Sequence, residues 1–444
     1  MKLSILASIL EGQLIGQDLS FNSVSLDSRS IKPGALFVAI SGEKFDGHSF
    51  IEEAKKQGAV AALVHQAVST ELPLIRVADT RKAYGQLARA HREKFSIPVI
   101  ALTGSCGKTT TKEMLRAILS ECGPVLASSK NFNNDIGVPL TLLDLNAQHR
   151  FVVIEMGANH IGEIANLTQI TKPDVALITN IAPAHLEGFG SIEKVAQAKS
   201  EIFLGLTTNG VAIVNVNDRF ENTWRDRLAN HRVIRFGLGT DFSASDIHLD
   251  TEGRVQFTLL TPKGKIKINL VLPGQHNLFN ALAAAAVAIQ VGASLGNIKA
   301  GLQKMQDVPG RLMILKNKDG ITIIDDSYNA SPNAVKAALE LLAHYPGERI
   351  FVMGDMGELG ANADYYHRQI GQLAKQLGIN HVYTCGELTA LTTQAFGSSA
   401  KHFRNQEDLI HALRTLLRSN TDVTVLIKGS RTAKMEKVVT ALVH

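Results

Sequence analysis

Short apolar runs bounded by turn residues alternate along the 444-residue chain with longer stretches whose apolar positions recur at helical spacing. The first 78 residues are the least regular. An apolar start at 3–10, followed at once by Glu11 and lacking a small-residue cleavage site, predicts an amphipathic helix and not a signal peptide. Runs at 36–40, 59–64 and 72–77 read as strands among turn-rich stretches such as Lys32-Pro33-Gly34 and Phe45-Asp46-Gly47-His48, so this region predicts a small mixed α/β domain. From Asp79 the rhythm changes. Residues 79–95 read as a capped helix with a charged face, and strands at 97–102, 151–155, 175–180 and 211–216 then alternate with helix-length segments. Such alternation predicts a largely parallel sheet covered by helices on both faces.

Residues 246–274 break this rhythm with two β-type runs around Gly253 and Pro262-Lys263-Gly264, an expected antiparallel addition, and a helix over 277–291 follows. A boundary is expected near Asp307-Val308-Pro309-Gly310. Beyond it a second series of strands, 321–325, 349–354, 381–385 and 423–428, each separated by a helix-length segment, repeats the doubly wound pattern. Three regions thus separate: 1–78, 79–307 and 308–444. The longest apolar run, 281–289, is Ala-rich and too short to span a bilayer, so no membrane segment is expected.

Hydrophobic residues make up 45% of the chain and charged residues 20%, the balance of a folded protein and not of a disordered one. A net charge of +5 is slight at this length; it suits anionic ligands but does not make a nucleic-acid surface. Cys106, Cys122 and Cys385 are odd in number and lack the paired spacing of zinc sites or disulfide frameworks, which fits reduced thiols in a cytoplasm.

The strongest chemical signal is the strand at 97–102 running into Thr103-Gly104-Ser105-Cys106-Gly107-Lys108-Thr109-Thr110 and then a helical pattern. Strand, glycine loop and helix stand in the order that phosphate binding needs. Glycines let backbone N–H groups approach phosphate oxygens, the helix N-terminus adds positive potential, Lys108 neutralises charge, and a following hydroxyl can reach Mg²⁺. Two residues separate the glycines where the usual pattern has four. Cys106 stands where the backbone does the binding, which argues against a catalytic thiol, although oxidation there could block ATP.

The shortened loop resembles that of the Mur ligases, ATP-dependent enzymes that build the peptide of bacterial cell-wall precursors. Further matches follow in order: Asn131-Phe132-Asn133-Asn134-Asp135-Ile136-Gly137-Val138-Pro139, Glu155-Met156-Gly157, Thr179-Asn180-Ile181 with Ala184-His185-Leu186-Glu187, Ala198-Lys199-Ser200-Glu201, Gly274-Gln275-His276-Asn277 through Asn280-Ala281, Pro309-Gly310-Arg311 and Asp325-Asp326-Ser327-Tyr328-Asn329-Ala330-Ser331-Pro332. Within the family, 325–332, 354–360 and 428–431 resemble the member that joins D-alanyl-D-alanine to UDP-N-acetylmuramoyl-tripeptide. Asp27-Ser28-Arg29, Pro33-Gly34 and the segments 36–39 and 42–48 fit its UDP-sugar domain. The resemblance implies three domains: one for the UDP-muramoyl peptide, a central P-loop ATPase, and a C-terminal Rossmann-like domain that closes on ATP and takes the dipeptide. It is set against two rivals, another ligase on the same scaffold (a different Mur enzyme or a folylpolyglutamate synthetase) and a P-loop ATPase that couples hydrolysis to movement.

The implied reaction makes a carboxylate reactive by converting it to an acyl phosphate, which an amine then attacks. Bringing carboxylate against triphosphate requires concentrated positive charge and metal ions. On the family's pattern, Gly104 through Thr110 cradle ATP; Thr109 and Glu155 suit one Mg²⁺, and His185, with Lys199 if carbamylated by CO₂, a second. Lys108, His185 and Lys199 are the implied catalytic set. From the residues alone, Lys199 is a helix-face lysine whose carbamylation needs burial to lower its pKa. Asn277, Asn280, Arg311 and Asp326 match outer nucleotide contacts, although Asn277 could instead cap a helix and Arg311 form a surface ion pair. For substrate, Ser28, Arg29, Asp46, Gly47 and His48 would face the UDP-muramoyl peptide, and Asn329, Lys428 and Arg431 the carboxylate side of the dipeptide or the peptide tail. The Lys428-Gly429-Ser430-Arg431 turn could equally be an exposed basic turn. A monomer without nucleic-acid or membrane partners is expected.

Overall fold

The computed structural model describes residues 1–42, 45–129, 131–418 and 422–444. Its α/β architecture agrees with the reading of the sequence: three sheets are mostly parallel and helix-covered, and a small antiparallel sheet is inserted. The first sheet runs, edge to edge, Gln13–Ile15, Leu74–Arg76, Ala59–Val64, Ala35–Val38, Ser23–Ser25, with only the first pair antiparallel. Strand Ala35–Val38 shows why an unbroken apolar run works here. Leu36 and Val38 pack with Leu3, Leu6, Tyr84 and Leu87 on one face, while Ala35 and Phe37 pack with Ile51 and Ala54 on the other.

The central sheet is wholly parallel, in the order Arg232–Phe236, Val211–Asn215, Val175–Ile178, Val99–Thr103, Phe151–Glu155, Val125–Ala127. Strand Val99–Thr103, first in the chain, lies near the middle, where strand order reverses; the carboxyl ends there open onto a ligand crevice. Helix His276–Gln290 lies between this sheet and the three antiparallel strands Ser243–Leu249, Arg254–Thr261 and Gly264–Pro273. Its apolar surface runs all the way round because both sides are covered. The insertion has three strands where two β runs were expected. The last sheet runs Met313–Lys316, Thr322–Asp326, Val423–Lys428, Glu348–Gly354, His381–Cys385, Ala400–Phe403, antiparallel only at its first pair.

The strands the sequence reading lacks in these three sheets are their edges: Gln13–Ile15, Ser23–Ser25, Val125–Ala127, Arg232–Phe236, Met313–Lys316 and Ala400–Phe403. An edge strand has one paired side and partial cover. Short, half-exposed sequences suffice there, and no apolar run marks them.

Among the described residues the lobe built on the last sheet meets the rest at several places, including Cys106 Sγ at 3.4 Å from Ser331 Oγ. On one side the turn at 250–254 meets helix Pro332–His344: His344 Nε2 lies 2.8 Å from the Asp250 carbonyl, and the Tyr345 hydroxyl donates to the Glu252 carbonyl at 3.0 Å. Gly253 is required there, since its φ is +72° and a Cβ would sit 2.3 Å from Leu341 Cδ1. On the other side, Leu186–Phe189 touches Gly360–Asn362. No helix among the described residues is long and apolar enough to cross a membrane.

Helix Lys108–Ser120, which carries the phosphate loop, is held from behind by helix Leu295–Lys304. A Cβ on Gly301 would lie 2.4 Å from Ile118 Cα, so the two backbones touch. Gly301→Ala should therefore destabilise the protein despite alanine's better helix propensity, by about 1–3 kcal/mol for overpacking; urea unfolding followed by circular dichroism would show the midpoint falling.

Candidate active site

The turn at 104–107 leaves strand Val99–Thr103 and enters helix Lys108–Ser120 through Gly107, whose φ of +78° only glycine adopts without strain. Gly104 meets a second constraint: a Cβ would lie 1.9 Å from Thr179 Oγ1. The Thr179-Asn180 pair ties the loop down. Thr179 Oγ1 and Asn180 Nδ2 donate to the Cys106 carbonyl at 2.7 and 3.0 Å, and Asn180 Oδ1 accepts from Cys106 N at 3.0 Å. Ser105 Oγ exchanges hydrogen bonds with the backbone of Ala182, both at 2.9 Å. The loop is fixed before any ligand arrives.

This loop forms one wall of a cavity of about 860 Å³. Ser105, Cys106, Gly107, Lys108, Thr109 and Thr110 line it, as do Glu155, His185, Asn277, Asn280, Arg311, Asp326, Asn329, Lys428 and Arg431. Residues hundreds of positions apart in the chain thus share one space. Gly104 and Lys199 stand behind its surface. Ser28, Arg29, Asp46, Gly47 and His48 do not line it.

Lys108 folds back onto its own loop, donating to the Gly104 carbonyl at 2.7 Å. Burial pulls its ammonium below the usual lysine range, Glu155 opposes the shift, and Arg311 from the C-terminal lobe adds to it. Lys199 is only 1% exposed, and its Nζ makes no hydrogen bond or ion pair among the described residues. Burial and, after it, the charge of Lys108 push it well below the usual range. Glu155, 3% exposed, accepts from Asn133 Nδ2 at 3.0 Å through Oε1, while its buried Oε2 has no partner among the described residues.

Asn277 and Asn280 form an amide ladder. Asn277 Nδ2 donates to the Pro273 carbonyl at 2.7 Å, Asn280 Nδ2 to Asn277 Oδ1 at 2.8 Å, and Asn280 Oδ1 accepts from Thr111 at 3.3 Å. Asn280 also abuts the phosphate loop, for a Cβ on Gly107 would lie 2.4 Å from its Oδ1. In the C-terminal lobe Lys428 is 1% exposed and reaches Asp326 Oδ2 at 2.5 Å and the Asn329 carbonyl at 2.8 Å. Removing one partner would strand a buried charge, at a cost on the order of 3–5 kcal/mol. Arg311 stacks on Tyr328 at 4.4 Å, and Arg431, exposed and 3.1 Å from Glu436, lies 5.8 Å from the same ring.

The substrate candidates of the first lobe are engaged elsewhere. Asp27 caps the turn Ser28–Ser30 and pairs with the exposed Arg29 at 2.8 Å. His48 is buried, its Nδ1 2.6 Å from Asp46 and its Nε2 accepting from His65 N at 3.2 Å; this histidine holds the Asp46 carboxyl well below the usual range. Of the segment 42–48, Glu43 and Lys44 lie outside the described residues. Reading by residue assigned no role to Asn133, Tyr328, His276 or Glu358, although all four line the cavity. All lie within quoted motifs, but their partners are distant in sequence, so spacing carried no signal.

A pinned glycine loop at the switch point of a parallel sheet, faced by cations from a second dinucleotide-fold sheet, defines a nucleotide-dependent transferase or ligase class. Comparison with known families narrows it. Residues 20–92 match the Mur ligase family catalytic domain, 102–288 the Mur ligase middle domain, and 310–431 the Mur ligase glutamate ligase domain. The chain is 46% identical over 443 residues to the UDP-N-acetylmuramoyl-tripeptide–D-alanyl-D-alanine ligase of Escherichia coli K12, covering 99% of this chain and 98% of that one. It is 34% identical to the Bacillus subtilis protein of the same name, with 99% and 97% covered. Among solved structures it superimposes on MurF from Acinetobacter baumannii with a TM-score of 0.94 at 37% identity, covering 99% and 98%, and on Thermotoga maritima MurF in complex with ADP with 0.85 at 30%, covering 95% and 96%. The chain belongs to the Mur ligase family.

Burial, with the charge of Lys428 adding to it, brings the His276 imidazole down to about 4. The neutral form is therefore the native one: its contribution is complete above the unfolded pKa of about 6.5 and is lost as pH falls toward 4. That loss is on the order of 3 kcal/mol, and His276→Gln should flatten it when urea midpoints are compared between pH 7 and 4.

Proposed function

We propose that this chain is an ATP-dependent amide ligase that joins D-alanyl-D-alanine to UDP-N-acetylmuramoyl-tripeptide through an acyl phosphate, giving ADP, phosphate and the pentapeptide for peptidoglycan synthesis in the cytoplasm. The observation that carries it is the cavity itself, in which the phosphate loop of one lobe faces Arg311, Lys428 and Arg431 of another. Names carried by relatives along the whole chain support the particular substrates. In this reading residues 1–78 hold the UDP-muramoyl peptide, 79–307 bind ATP, and 308–444 close on it and receive the dipeptide.

The loop amides and the N-terminus of helix Lys108–Ser120 bind the triphosphate. Lys108, released from the Gly104 carbonyl by incoming phosphate oxygens, neutralises charge as the γ-phosphoryl moves to the peptide carboxylate. Arg311, within electrostatic reach of Lys108, brings a second cation from the opposite lobe. Asn280 braces the loop's helix through Thr111, and Asp326, held by Lys428, would face the ribose. Asn329 and Arg431 suit the carboxylate of the dipeptide or the peptide tail.

The donors suit hard cations, and the buried Glu155 Oε2, without a partner among the described residues, supports that reading. Glu155 and Thr109 would hold one Mg²⁺, His185 and a carbamylated Lys199 a second; when bound, the ions offset the repulsion between triphosphate and carboxylate. Lys199 suits carbamylation because burial, which pushes its pKa well below the usual lysine range, favours the neutral amine that reacts with CO₂.

Phosphate release should require magnesium, UDP-N-acetylmuramoyl-tripeptide and D-alanyl-D-alanine together, with a new amide product by mass spectrometry; release without the dipeptide would favour an ATPase. Lys108→Ala should cut kcat by orders of magnitude with the fold retained by circular dichroism, and near-parent turnover would remove the loop's assignment. Activity should fall when CO₂ is stripped from the buffer and return with bicarbonate, whereas full activity of Lys199→Ala would end the carbamate role.

A further inference from the structure

We propose that Glu358 of the C-terminal lobe is the positioning residue for His185 of the central lobe, so that the histidine is set for its role only where the two lobes meet. The inference rests on the reading above of His185 as part of the site. Glu358 Oε2 lies 2.5 Å from the buried Nδ1 of His185, and the histidine holds the Glu358 carboxyl below its usual range. At that separation two lone pairs would repel, so the proton belongs on Nδ1. In the neutral ring the other nitrogen, Nε2, then keeps its lone pair, and it makes no hydrogen bond among the described residues. A carboxylate on the far nitrogen of a working histidine fixes its tautomer and ring plane in this way.

Three further observations set this pair apart from a chance surface contact. Both residues occupy the left-handed backbone region, His185 at φ +54° and Glu358 at φ +63°, which side-chain-bearing residues adopt only where the surroundings enforce it. Their backbones are tied as well, for Glu187 N donates to the Glu358 carbonyl at 3.2 Å. The loop bearing Glu358 is also rigid at its root: Asp355 accepts from the backbone N–H groups of Glu387, Leu388 and Thr389, and its carbonyl accepts from Ser430 N at 2.9 Å. Glu358 remains about half exposed, so the pair adds little to stability; its effect is orientation. The central lobe supplies the histidine and the C-terminal lobe the carboxylate that sets it, which gives chemistry a dependence on lobe contact.

The test uses the full chain with Glu358→Gln and Glu358→Ala, each compared with the parent for thermal midpoint, kcat, the KM of ATP and of the dipeptide, and the ring ¹⁵N signals of His185 in nucleotide-free protein. The expected result is an unchanged thermal midpoint, a fall in kcat of about 10–100-fold with KM values held, and a His185 signal moving away from the Nδ1-protonated form. A kcat within about twofold of the parent, or an unchanged ring signal, overturns the proposal. So does a change confined to the dipeptide KM, which would make Glu358 a substrate contact. A parent that forms no amide would remove the proposed function alone, since the ring signals decide the positioning separately.

Discussion

The molecule is organised around a concentration of positive charge in the cavity that the carboxylates beside it only partly offset among the described residues. Arg311 acts on Lys108 and Lys108 on Lys199, and burial strips the two lysines of the water that would screen them. Glu155 is the carboxylate that offsets Lys108. An arrangement of this kind is unfavourable when empty and is relieved by a polyanion, which is the state a triphosphate would create.

Tolerating it requires a rigid frame. The phosphate loop is fixed by two glycine positions and by Thr179 and Asn180, its helix is held from behind by backbone contact at Gly301, and Asn280 closes the gap against Gly107. The opposite wall is equally set. Lys428 and Asp326 sit at the carboxyl ends of neighbouring parallel strands and satisfy each other away from solvent. Such a pair is poor evidence of net stability, but it fixes the register of the two loops that face the nucleotide loop.

What the sequence left open follows a physical rule. Core strands such as Phe151–Glu155 and His381–Cys385 were legible because their central positions are buried on both faces. The edge strands were not, because half-exposed residues meet no such demand. Within the site, Lys108 stood out through its glycine turn, whereas Glu155 was legible only through its match to the family's motif. Lys428 read as a candidate substrate contact; it lines the cavity, and its ammonium also pairs with Asp326, a contact between strands far apart in sequence. His48 read as substrate-facing and is buried beside Asp46 and His65.

The chain by itself determined the strand–loop–helix that binds phosphate, the alternation that makes parallel sheets, and the ordered motifs of its family, since each depends on residues adjacent in sequence and on local backbone preference. Only the tertiary structure decided which lysines are dry, that Glu155 keeps an unmet oxygen, and that His185 meets Glu358. Those properties arise from the exclusion of water and the approach of groups far apart in the chain, and neither quantity is defined until the lobes have packed.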